Sequence, residues 1–334
     1  MTALQRWAPL MLKAILVVVM VFFVVRSVPL RAADIPDYLM RADYRFYLSM
    51  FVFAVFLMLQ ASIWVLIVNA AGAGGERDDR RESSKLGLLT GLRIFIDSQF
   101  AKYIPGGFWN YAGRIVLATR AGVPLQTQLA SIIYENVLLV SAALVYALLL
   151  ALSLDISPVP LVSAAIIVIA AAYLFYDHVM TWIGRLFMRA SRWKLLSKLL
   201  SKVRKPSESA SVGGTVAMPR NYFFGFLVCF LGSHFVMGIA FWMLINSFGA
   251  GRIGLLYAAG TFATSWLLGL LSPLPGGLGI REGFLVYFLS LKLGTDAALH
   301  ISVIARLWNI MAEVTFWLLI KAVSHLPKRV KMYE

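Results

Sequence analysis

Apolar runs about as long as a bilayer is thick set the first limit on this chain. Crossing a hydrocarbon core of about 30 Å takes roughly 20 apolar residues in a helix. Runs of that order recur at residues 8–25, 46–71, 125–152, 158–176, 222–248 and 300–323. Sixty per cent of the 334 residues are hydrophobic and only 14% are charged, against about 45–50% and about 25% in soluble domains. The expected fold is therefore an all-α polytopic membrane protein with about six full spans in one membrane domain, 1–334. Arg6 and Lys13 ahead of the first run give it the look of a signal peptide. Its length, and the span that soon follows, favour an uncleaved first helix.

The net charge of +15 lies between the spans, where it orients the chain and attracts anionic headgroups rather than nucleic acid. The segment 177–220 carries nine Lys and Arg against Asp177 and Glu208, so it is expected on the cytoplasmic side. Lys328, Arg329 and Lys331 put the C-terminus there too, and counting spans puts the N-terminus inside, which predicts a multi-pass protein of the cytoplasmic (inner) membrane. Within 182–203, Ile183, Leu186, Phe187, Leu196, Leu199 and Leu200 alternate at helical spacing with basic residues. This pattern predicts a helix lying on anionic inner-leaflet lipids. A flexible linker follows and divides a first half, 1–176, from a second, 221–334.

Two weaker apolar regions, 86–119 and 253–293, are each interrupted by Pro-Gly-Gly: Pro105, Gly106 and Gly107, then Pro275, Gly276 and Gly277. Proline stops a helix, and the glycines permit tight turns and close backbone approach. Irregular backbone at membrane depth has to be buried in protein or line a wet cavity. A helix restarting after Gly277 or Gly279 would turn its free N–H groups toward an anion. Downstream of both motifs a new span begins, carrying Glu135 in one half and Arg306 in the other. The matched order predicts an internal repeat, inverted if both interrupted segments are re-entrant. Charge counting does not choose between re-entrant arms and two separate spans.

Ionisable groups inside spans usually face a bundle interior or a cavity. The candidates are Arg114, Glu135, Arg281, Glu282, Arg306 and Glu313, with Glu135 and Arg306 expected to pair across the repeat interface; alternatively these charges only hold the bundle together. His178, His234, His300 and His325 show no metal-ligand spacing. Cys229 has no partner and reads as a small buried hydrophobe. No nucleotide-binding loop, Asp-x-Asp or nucleophile motif is found, so neither a metal nor another cofactor is expected.

The stretches "SPLPGGLGIREGF", "KYIPGGFWNYAGR" and "YENVLL" resemble the lysylphosphatidylglycerol synthase transmembrane-region family. That family includes the flippase portion of the multiple peptide resistance factor and membrane regions of archaeal glycosyltransferases. The resemblance implies a fold with re-entrant elements that moves polar lipids between leaflets. It places Pro275, Gly276, Gly277, Gly279, Arg281 and Glu282 in one half of a headgroup pocket, and Pro105, Gly106, Gly107 and Arg114 in the other. The soluble aminoacyl-transferase domain of the resistance factor has no counterpart in this sequence. The expected activity is translocation of a modified phospholipid or a polyprenyl-phosphate sugar across the cell-envelope membrane. The alternatives are a membrane-embedded transferase, with Glu135, Glu282 or Glu313 as base, and a subunit whose basic helix recruits a cytoplasmic transferase.

Overall fold

A computed structural model describes residues 42–73, 85–103, 109–154, 218–249, 251–271, 277 and 279–325, with isolated positions between 159 and 182. The expected spans 8–25 and 158–176, the basic helix 182–203 and most of both Pro-Gly-Gly turns (Pro105, Gly106, Gly107, Pro275 and Gly276) lie outside the described residues or are described only at isolated positions.

The described residues form eight α-helices and no strand. Lipid leaves backbone amides no outside partner, so each segment closes its own hydrogen bonds. Four helices are long and apolar enough to cross: α1 (Tyr44–Ala73), α4 (Leu125–Leu152), α5 (Arg220–Ser247) and α8 (Thr295–His325). They match four expected spans to within about five residues at each end. The two interrupted regions each fold as a pair of short helices. The first is α2 (Leu88–Gln99), a 3-10 turn (Phe100–Tyr103) and α3 (Trp109–Arg120). The second is α6 (Leu255–Leu270) and α7 (Ile280–Leu293). In both pairs the two arms pack on each other.

α1 and α5 form the central contact and run antiparallel. Gln60 reaches Ser233, Phe56 meets the His234 ring, and Phe53 shares Phe262 and Trp308 with Phe241, so numbers fall on one helix as they rise on the other. At the far end Ile63 and Ile67 pack with Phe223, Phe226 and Phe230. Each short-helix pair is braced by both halves of the chain: α2 lies against α1 and α8, and α6 against α5 and α4.

Three polar contacts fix α2 and the 3-10 turn after it on α8 in antiparallel register: Arg93 to Ser324, Trp317 to Asp97, and Lys102 to Glu313. Cys229 stands on the outer surface of α5, correcting the expectation that it is buried. The inward face of that helix is Phe223, Phe226, Phe230, His234 and Met237, and Cys229 falls between those positions.

α6 sits close because a small residue stands on at least one side of each tight contact. A Cβ on Gly238 would come within 2.4 Å of Ala259 Cβ, and one on Gly260 within 2.8 Å of the Tyr146 carbonyl oxygen. Helices in lipid associate largely through such close packing. Gly260→Ala is expected to lower stability by about 1–3 kcal/mol through overpacking, seen as an earlier unfolding midpoint in detergent. Gly232→Ala, whose Cβ meets nothing within 4 Å, is expected to leave the midpoint in place.

Candidate functional site

All eight helices contribute walls to a cavity of about 300 Å³. Phe53, Phe56 and Gln60 of α1 and His234 and Met237 of α5 form one side; Phe95, Gln99, Lys102, Asn110 and Arg114 come from the first short-helix pair. Phe262, Gly269, Gly277 and Arg281 come from the second, with Glu135 of α4 and Asn309 and Glu313 of α8 completing the ring.

Two of the three cations in this lining are neutralised on the spot. Arg114 Nη1 donates to Glu135 Oε2 at 2.5 Å, with both side chains less than a tenth exposed. The Arg114 guanidinium lies 4.2 Å from the Phe95 ring centre and 5.0 Å from that of Trp64, a setting that suits its planar, weakly hydrated charge. Lys102 pairs with Glu313, a fully buried carboxylate that also accepts the Tyr103 hydroxyl at 3.1 Å.

Arg281 is the third cation. Its guanidinium sits 4.7 Å from the Phe262 ring centre. With the Asn309 amide turned so that its oxygen faces the arginine, Nη1 and Nη2 donate to that oxygen at 3.1 and 3.2 Å. No described carboxylate lies within ion-pair distance of it. Among the described lining residues, three cations against Glu135 and Glu313 leave one positive charge in excess, centred on Arg281.

Backbone geometry fixes where Arg281 points. Gly277 has φ +72°, and a Cβ there would fall 2.9 Å from the Gly269 backbone; a Cβ on Gly269 would in turn meet the Cβ of Arg281 at 2.9 Å. The turn is thus laid directly on α6, which only glycine at both places allows. Gly279, at φ +81°, caps α7, so the helix restarts at Ile280 as the glycine spacing predicts.

Glu282 turns the other way. One oxygen accepts the Gly279 N–H at 2.7 Å, the other the Arg306 guanidinium at 2.7 Å. Glu282, Arg306 and Gly279 therefore stand behind the cavity wall, while Arg114, Glu135, Gly277 and Arg281 face it. The expected Glu135–Arg306 pair does not form. Instead each restarted helix is tied to the long helix after it, α3 to α4 by Arg114–Glu135 and α7 to α8 by Glu282–Arg306, with the signs exchanged.

Sequence reasoning missed Lys102, Gln99, Asn110 and Asn309. A lysine three residues before Pro105 and an asparagine three after Arg306 were the available signals. His234, read as no metal ligand, lines the cavity with its Nδ1 2.9 Å from the Phe230 carbonyl oxygen. Gln99 Oε1, Asn110 Oδ1 and Arg114 Nε are buried there with no hydrogen-bond partner among the described residues. Such atoms call for water or a polar ligand.

A family model described as "Lysylphosphatidylglycerol synthase TM region" matches residues 10–320 of the chain. No curated protein matches it.

Removing one partner of a buried ion pair strands the other. Arg114→Ala is expected to destabilise the protein by about 3–5 kcal/mol, whereas Arg114→Leu with Glu135→Leu is expected to cost less than the single change. Unfolding in detergent checks both; a neutral Arg114→Ala contradicts the pairing.

Proposed function

The chain belongs to the lysylphosphatidylglycerol synthase TM region family, and from that membership we propose that it is a lipid translocase of the inner membrane, with both termini cytoplasmic. Membership supports a membrane lipid as the thing acted on. The observation that carries translocation is Arg281, a cation without a carboxylate partner among the described residues, aimed into a cavity inside the bundle. An unneutralised charge there is costly, and an anionic headgroup would offset it with a forked pair of hydrogen bonds. The N-terminus of α7 adds its positive dipole end nearby. At about 300 Å³ the cavity stands at the small end of ligand pockets. It suits a phosphate-bearing headgroup whose acyl or prenyl tails stay in lipid.

In this reading the two short-helix pairs are re-entrant hairpins in an inverted repeat. Arms of 12–16 residues reach about 18–24 Å, short of the ~30 Å core. The antiparallel α1 and α5 and the exchanged bracing of α2 and α6 support inversion. The headgroup meets Arg281, displaces cavity water and leaves when the halves reopen to the other leaflet. Movement is downhill or coupled to an ion or the membrane potential.

The transferase reading needs a free carboxylate base. Glu135, Glu282 and Glu313 are each already paired with a cation, which weighs toward translocation.

The test places purified protein in liposomes carrying headgroup-labelled phosphatidylglycerol and follows protection from a membrane-impermeant quencher. The native chain is expected to speed exchange between leaflets. Arg281→Ala should slow it at least about tenfold, the worth of one hydrogen bond to a charged group, with Arg281→Lys between the two. Full transport by Arg281→Glu would sink the role of this residue. A lipid changed in mass but not in leaflet would favour the transferase.

A further inference from the structure

The seam between α1 and α5 holds a second pocket. It has a volume of about 830 Å³ and opens where α1 begins and α5 ends, lined by Tyr44, Arg45, Leu48, Trp242, Asn246 and Arg252. The same two helices wall the central cavity through Phe53 and Met237. Leu48 to Phe53 and Met237 to Trp242 are five-residue steps, about 7.5 Å along each helix. Because α1 and α5 are antiparallel, both steps lead in one direction, from the central cavity to this rim.

Between the pockets lies a layer of four buried aromatic residues from four helices: Phe53, Phe241, Phe262 and Trp308. Their ring centres are 4.3–6.4 Å apart, and the Trp308 indole donates to Ser49 Oγ at 3.0 Å. Phe53 and Phe262 face the central cavity, while Phe241 adjoins Trp242 on the rim side. Arg281 lies against Phe262, so the cation of one pocket touches the layer that closes it from the other.

We propose that the rim pocket is a second phosphate-headgroup site for an anionic phospholipid, on the path between one leaflet and the central cavity, with the aromatic layer as the barrier between the two. The route rests on the translocase reading; the site itself does not. Two arginines from separate elements supply the anion-binding chemistry. Arg45 holds an exposed contact to Asp43 at 3.6 Å and lies 5.9 Å from the Tyr44 ring centre, surface contacts weak enough to exchange for a headgroup. Arg252 has no ion-pair or hydrogen-bond partner among the described residues. Trp242 fixes the loop that carries it, donating from Nε1 to the Ile253 carbonyl at 2.9 Å. Leu48, about half exposed, and the partly exposed Trp242 line the same pocket and offer an acyl chain an apolar surface beside the two guanidinium groups. That pairing of charge and apolar surface selects a lipid over free phosphate.

The test is native mass spectrometry of the full chain after incorporation into mixed phosphatidylglycerol and phosphatidylcholine nanodiscs, counting phosphatidylglycerol retained, with inorganic phosphate as competitor. The native protein is expected to retain phosphatidylglycerol over phosphatidylcholine and to keep it against phosphate. Arg45→Gln with Arg252→Gln should weaken retention about tenfold, and Arg45→Lys with Arg252→Lys should restore much of it, which separates lost headgroup contact from misfolding. Unchanged retention in the glutamine variant, or displacement by phosphate alone, overturns the site. Loss of retention in that variant supports the site even where native protein leaves the leaflets unmixed, an outcome that counts against translocation alone. Unchanged retention overturns the site even where native protein does translocate lipid.

Discussion

A charge inside a helical bundle in lipid is cut off from bulk water, and the way this chain houses its buried charges organises the rest. Arg114–Glu135 and Glu282–Arg306 each tie a restarted helix to the long helix after it. Lys102–Glu313 ties the first short-helix pair to α8. These pairs hold the arms of both interrupted segments where helices of 12–16 residues have too little surface of their own to stay put. Once those partners are taken, Arg281 is left facing the cavity beside an aromatic ring and an amide oxygen, with no carboxylate among the described residues in ion-pair distance. The architecture and the proposed binding chemistry thus come from one constraint, that every buried charge must find a counter-charge or a ligand.

Close backbone approach is the second element. Gly277 on Gly269 sets the turn against α6 and aims Arg281 inward, while Glu282, one residue on, faces the cap and Arg306. Adjacent residues at a helix start project about 100° apart, so a charged dipeptide divides into an inward and an outward group. That division explains how "RE" supplies both a cavity-facing cation and a supporting carboxylate.

Much of the fold was legible in the sequence. Four spans were recognisable because lipid imposes both length and composition, and both breaks because Pro and Gly have few other uses there. The pairing of side chains was not. Spacing reports how far along a helix Glu135 and Arg306 lie, but not which way each faces, so matching them across the repeat gave the wrong partners. Lys102 was hidden because it stands in a 3-10 turn beyond the helical pattern. Gly269 and Gly260 carry no distinguishing mark in the sequence, since a close approach shows only when the opposing backbone is in place. Cys229 misled for the same reason: an apolar run in lipid has an outer face as apolar as its inner one.

If the chain translocates lipid as proposed, the cavity around Arg281 opens to each side of the membrane in turn. With Cys229→Ser removing the single cysteine, Asn309→Cys places a thiol beside Arg281 on the cavity wall. Sealed vesicles of both orientations would then be treated with a charged, membrane-impermeant thiol reagent. The account predicts labelling from both faces, slowed by phosphatidylglycerol in the bilayer. A thiol that reacts from one face only, or from neither, would contradict it.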